Sequence, residues 1–83
     1  MIQIWGKPQC PSCVKAKTML ERREVKFEYF ELGKDFTREE VLSEFPEART
    51  FPQIVINGIK VGGYEQMVQY MEDHNYNGTG YSL

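Results

Sequence analysis

The sequence predicts a small α/β sandwich of order β-α-β-α-β-β-α, and three observations predict it. A short alternating run, Ile2-Gln3-Ile4-Trp5, leads through a loop held by Pro8 into a stretch with helical spacing, the opening of a βα unit. Asn57-Gly58 stands between the β-branched runs Ile54-Val55-Ile56 and Ile59-Lys60-Val61, and a type I′ turn needs positive φ at both central residues, so these runs form a hairpin. Tyr64, Met67, Val68 and Met71 recur at i, i+3, i+4 and i+7, the stripe of a helix that closes on a core.

Taken in order, residues 2–5 make a short central strand ending at Gly6. From Pro11 to about Arg23, Cys13, Ala16 and Leu20 fall on one side with Met19 beside them, while Lys15, Lys17, Glu21 and Arg22 occupy the other; this is the first helix. The aromatic run 26–32, bounded by Gly33, is a second strand, parallel to the first through the crossover. Gly33, Lys34 and Asp35 turn the chain. Thr37-Arg38-Glu39-Glu40 has the spacing of a capping box, with Phe36 placed to staple onto Val41. A second helix over about 38–45 then carries Val41, Leu42 and Phe45 inward and stops at Pro46. The hairpin follows, Gly62-Gly63 ends it, and the third helix runs to about residue 73. Four strands in one mixed sheet and three helices make one domain over 1–74. The Asn- and Gly-rich stretch 75–83, without periodicity, is expected to be a flexible C-terminal tail.

Eighty-three residues, 41% of them hydrophobic, suffice for one core and exclude a second domain. Ten basic against twelve acidic residues leave a net charge of −2, so no basic surplus exists to hold phosphates and nucleic acid is excluded as a partner. No apolar run reaches the length of a membrane span, and the first residues have the pattern of a strand rather than a cleavable leader. A cytoplasmic monomer is expected. The methionines belong to the core, and no metal site is expected.

Both cysteines lie in Lys7-Pro8-Gln9-Cys10-Pro11-Ser12-Cys13. With Pro11 in the first helical turn, Cys10 stands at the helix N-terminus and Cys13 one turn further in. One turn separates their Cα atoms by roughly the 5.5 Å that a disulfide requires. A thiolate at that end faces unpaired N–H groups and the positive pole of the helix, which lowers a cysteine pKa into a range of about 3.5 to 7.5. Lys7 adds a nearby positive charge. Cys10 is therefore the expected attacking thiolate and Cys13, deeper in the helix, the expected resolving thiol. Two other readings of the pair stay open at this point. A structural disulfide closing so small a loop is a weak staple, and zinc needs about four ligands where His74 is the single further soft candidate.

With Cys-Pro-Ser-Cys heading the first helix, Thr50-Phe51-Pro52 before the third strand and Gly62-Gly63 before the last helix, residues 1 to about 73 resemble a glutaredoxin. The resemblance implies a thioredoxin-like three-layer sandwich and reduction of protein disulfides and glutathione mixed disulfides, with glutathione as co-substrate and no tightly bound cofactor. It implies Cys10 as nucleophile, Cys13 as resolving thiol and a cis bond before Pro52, with Thr50, Phe51 and Pro52 at the glutathione site and Phe51 offering its backbone to the peptide-like ligand. Glutathione has two carboxylates and one ammonium group. Lys7 and Arg49 suit the glycyl carboxylate, the helix N-terminus at Gly63, Tyr64 and Glu65 suits the γ-glutamyl carboxylate, and the Glu65 side chain suits the ammonium. The short length and Gly-Gly-Tyr-Glu-Gln resemble small glutaredoxins of bacterial and phage type, which makes ribonucleotide reductase a candidate partner by analogy. Many members carry Tyr or Phe where Ser12 stands. Other functions compatible with the same residues are a redoxin recycled by thioredoxin reductase, a glutathione-ligated [2Fe–2S] carrier built on Cys10, and a thiol-bearing interaction module.

Overall fold

A computed structural model of the chain describes residues 1–74; the expected tail over 75–83 lies outside the described residues. The elements are β1 (Ile2–Gly6), α1 (Pro11–Arg22), β2 (Phe27–Glu31), α2 (Arg38–Glu44), β3 (Gln53–Ile56), β4 (Ile59–Gly62) and α3 (Tyr64–Asp73). This is the predicted order, an α/β chain with three helices and a four-stranded mixed sheet.

The strands run β2-β1-β3-β4 across the sheet, so β1 is central. It pairs parallel with β2, the two joined by the crossover through α1, and antiparallel with β3. In that parallel register Ile4 stands opposite Tyr29 and Gly6 opposite Glu31. The β3–β4 hairpin turns at Asn57 and Gly58, with φ of 51° and 83°, the two left-handed residues that the Asn-Gly pair predicts.

Alternation along β1 divides the core in two. Ile2 and Ile4 face α1 and α3 and pack with Ala16, Leu20, Ile54, Ile56, Met67 and Met71. Trp5 faces the other way, into a layer formed with Phe30, Phe36, Val41, Phe45 and Val55 under α2. Helices on both faces of one sheet make three layers.

The capping box at the head of α2 is present in both halves. Thr37 Oγ1 accepts from the Glu40 N–H at 3.1 Å, and Glu40 Oε1 accepts from the Thr37 N–H at 2.8 Å. Phe36 and Val41 share the same buried cluster, as the staple predicts. The inward placement expected for Leu42 is overturned: that side chain is 44% exposed. Val41 and Phe45, four residues apart, share the inner face, and one step of about 100° swings Leu42 off a helix of two turns. No helix among the described residues is long and apolar enough to cross a membrane.

Candidate active site

The site begins where β1 hands the chain to α1. The intervening loop turns on Gln9, whose φ of 56° is left-handed. Cys10 then adopts an extended backbone at the N-cap of α1, with Pro11 in the first turn. Its sulfur does what a capping oxygen does elsewhere, accepting the Cys13 N–H at 3.2 Å. The two cysteines form a disulfide, their Cα atoms 5.2 Å apart. Cys13 is 1% exposed and Cys10 7%, so the predicted order of depth holds. Once reduced, a Cys10 thiolate keeps an amide donor at its own N-cap and the positive end of a 12-residue helix behind it.

The second wall comes from the segment before β3. Cys10 Sγ lies 3.8 Å from the Phe51 carbonyl oxygen, and the Phe51–Pro52 peptide bond is cis. A Cβ at Gly63 would stand 3.7 Å from the Pro52 carbonyl oxygen, so the head of α3 packs directly against this wall. Gly63 is the N-cap of α3, and its N–H donates to Gln66 Oε1 at 3.0 Å. The Gly63 N–H, which the sequence offers to a carboxylate, is thus engaged by a side chain of its own helix. Gln66 Oε1 already satisfies it, and the first-turn N–H groups of Tyr64, Glu65 and Gln66 precede the first helical bond, from the Met67 N–H to the Gly63 carbonyl. A glutamine three residues after the cap is half of a capping box, a local signal that the sequence displays. Gly62 must also be glycine: its φ is 112°, and an added Cβ would press on the Gln66 side chain at 3.2 Å.

Beside the disulfide opens a cleft of about 460 Å³ lined by Cys10, Lys7, Val14, Lys17, Tyr29 and Glu31 among others. Lys7 is thus where the sequence places it. Lys17 joins it, its Nζ 4.3 Å from the centre of the Tyr29 ring. Lys15, two residues back and so about 200° round the helix, lines a neighbouring groove with Val14 and Tyr64 instead. Tyr29 and Glu31 were not among the predicted site residues. Both lie on β2, and only the parallel register, which sets Tyr29 beside Ile4 and Glu31 beside Gly6, brings them to the mouth of the site. Burial holds the Tyr29 phenol above its ordinary pKa of 10.0, and the Glu31 carboxylate pushes the same way.

The predicted site residues therefore divide. Lys7 lines the cleft at Cys10, Phe51 presents its carbonyl to that sulfur, and Gly63 packs against Pro52, while Tyr64 lines the neighbouring groove. Arg49, Thr50 and Glu65 are exposed, and none of them lines the cleft around Cys10. The Thr50 carbonyl accepts from the Gln53 side chain at 2.8 Å. Among the described residues no group of three metal-ligating side chains is assembled, and His74 stacks on Tyr70 with ring centres 4.2 Å apart.

A glutaredoxin family model matches residues 2–61. A glutaredoxin 1 of Rickettsia typhi is 33% identical over 75 residues, covering 87% of this chain and 71% of that protein. A hybrid peroxiredoxin of Haemophilus influenzae is 38% identical over 69 residues, covering 83% of this chain; the chain spans 28% of that longer protein. Among solved structures, a buckwheat glutaredoxin–glutathione complex has the same fold, with a TM-score of 0.72 at 18% identity, over 88% of this chain and 69% of that one.

Proposed function

The chain belongs to the glutaredoxin family of thiol-disulfide oxidoreductases, and we propose that it reduces protein disulfides and glutathione mixed disulfides with glutathione as co-substrate. The observation that carries this reading is the Cys10 sulfur at the cap of α1, bonded to a Cys13 sulfur one turn deeper. With a mixed disulfide, the Cys10 thiolate attacks the glutathione sulfur, the protein sulfur leaves as a thiolate, and a second glutathione thiolate attacks in turn to free Cys10. With a protein disulfide, Cys10 takes one sulfur into a mixed disulfide. Cys13 then attacks Cys10 Sγ and expels the substrate.

For glutathione, the Phe51 carbonyl beside Cys10 and the cis bond before Pro52 support strand-like docking of its backbone, with Thr50 next to them in the chain. Lys7 in the cleft and Arg49 at the surface serve the glycyl carboxylate, and the Tyr64 and Glu65 N–H groups serve the γ-glutamyl carboxylate. Glu65 pairs with the ammonium. The glutathione named with the buckwheat protein supports this choice of co-substrate. The setting we propose is a cytoplasmic monomer, with disulfide-bearing proteins as partners and ribonucleotide reductase among the candidates.

The test is a pair of variants. Cys13→Ser keeps removal of glutathione from a mixed disulfide and loses reduction of a protein disulfide, while Cys10→Ser loses both by several orders of magnitude. Activity surviving in Cys10→Ser refutes the assignment. Recycling by glutathione but not by thioredoxin reductase is the outcome expected for the electron source.

A further inference from the structure

Gly6 ends β1 on the face that carries Ile2 and Ile4, and two groups fill the space its absent side chain leaves. A Cβ there would overlap the Tyr29 hydroxyl and stand 3.1 Å from Cys13 Sγ, so the phenol and the buried sulfur converge on one point. Tyr29 also lines the cleft that holds Cys10. Cys13 is 1% exposed, and among the described residues no polar or charged side chain is buried. An ionised Cys13 sulfur therefore needs a donor other than water or a buried polar neighbour, because desolvation disfavours its charge. The convergence on Gly6 supplies one.

We propose that the Tyr29 hydroxyl donates a hydrogen bond to Cys13 Sγ whenever that sulfur is ionised, and so sets the acidity of the resolving thiol. The inference rests on the assignment of Cys13 as that thiol. The phenol suits the task, since its raised pKa keeps its proton on across neutral pH and it acts as a donor rather than a base. The charged groups that face it are Lys17 from α1, Glu31 from β2 and Lys7 from the loop. In the oxidised protein, a glutathione thiolate attacks Cys10 Sγ, the Cys10–Cys13 bond breaks, and its electron pair goes to Cys13 Sγ. The Tyr29 hydrogen bond holds that charge until solvent delivers a proton. In the opposite sense Cys13 gives its proton to solvent, its sulfur attacks Cys10 Sγ of the mixed disulfide, and the substrate sulfur leaves with the bonding pair.

In Cys10→Ser protein, Cys13 is the one thiol, and the 13Cβ resonance of Cys13 reports its titration. Adding Tyr29→Phe keeps the ring under Lys17 and removes the hydroxyl. The midpoint is expected to rise by about one unit, which leaves about tenfold less thiolate at neutral pH. With Cys10 intact, release of glutathione from its mixed disulfide by Cys13 slows about threefold in Tyr29→Phe, because the scarcer thiolate is also the more nucleophilic one, and its pH midpoint moves up in the same sense. An unmoved Cys13 midpoint overturns the proposal. Should Tyr29→Phe fail to fold, the Tyr29 13Cζ resonance of Cys10→Ser protein decides: it shifts with the Cys13 titration if the two are bonded, and a flat response rules the contact out. If Cys13→Ser retained protein disulfide reduction, the resolving role would fall, while the titration would still report on the contact by itself.

Discussion

The two faces of the sheet are filled with different chemistry, and each holds one wall of the site. Under α1 and α3 the filling is aliphatic and thioether: Ile2, Ile4, Leu20, Ile54, Ile56, Met67 and Met71 have no exposed surface. Under α2 it is aromatic, Trp5 meeting Phe30, Phe36 and Phe45 with ring centres 5.3, 4.9 and 5.5 Å away. A seven-residue helix is far too short to stand alone, so the area of the rings is what keeps α2 in place. The fit there is less complete, since the Trp5 indole N–H is buried without a partner among the described residues. The aliphatic face fixes the head of α1, and with it both sulfurs. The aromatic face fixes Phe51, which packs near Phe36 at 6.3 Å and presents its carbonyl to Cys10. The comparison teaches that the sulfurs stand on the aliphatic side and the Phe51 backbone that meets them on the more loosely anchored one.

Breaking the dense side has the largest expected effect. Ile4→Ala opens a cavity at a position with no exposed surface and costs about 2–5 kcal/mol, a large share of the ~5–15 kcal/mol that a domain possesses. Urea unfolding measures it, and a loss below about 1 kcal/mol would mean this face can collapse around the gap and is not the tighter of the two.

The aromatic side is probed more gently at the cap of α2. Thr37→Ala removes one half of the capping box and costs about 1 kcal/mol, with turnover and the alkylation rate of Cys10 unchanged. A parallel fall in turnover would show that α2 governs the Phe51 wall more directly than the packing suggests.

The smallest effect is electrostatic and sharpens the border between the walls. The folded-state pKa of Tyr29 is raised above the unfolded value, so the native state holds that proton more tightly. Its contribution is complete below about pH 10, the unfolded value, and is lost as pH rises through the folded value. Unfolding at pH 9 and pH 11 is expected to show a smaller alkaline decline in Tyr29→Phe than in the parent protein. An identical decline would place the titrating group elsewhere.

Much of this molecule was legible residue by residue. The Asn57-Gly58 hairpin, the Thr37 capping box and the Cys-Pro-Ser-Cys helix head each depend on residues a few positions apart, and each stands as expected. Leu42 was misplaced because a two-turn helix offers too few repeats to define a stripe. The Gln66 cap on Gly63 was visible in spacing alone and changes which amides remain open to a ligand.

What the sequence by itself determined is the set of local conformations and the pair of sulfurs one helical turn apart, because short-range sterics and hydrogen bonds act within a few residues. Tertiary structure alone decided that Phe51 meets Cys10 across 41 positions, and that Tyr29 and Cys13 both border Gly6. Both contacts follow from strand register, which is settled only when whole faces of the sheet are buried together.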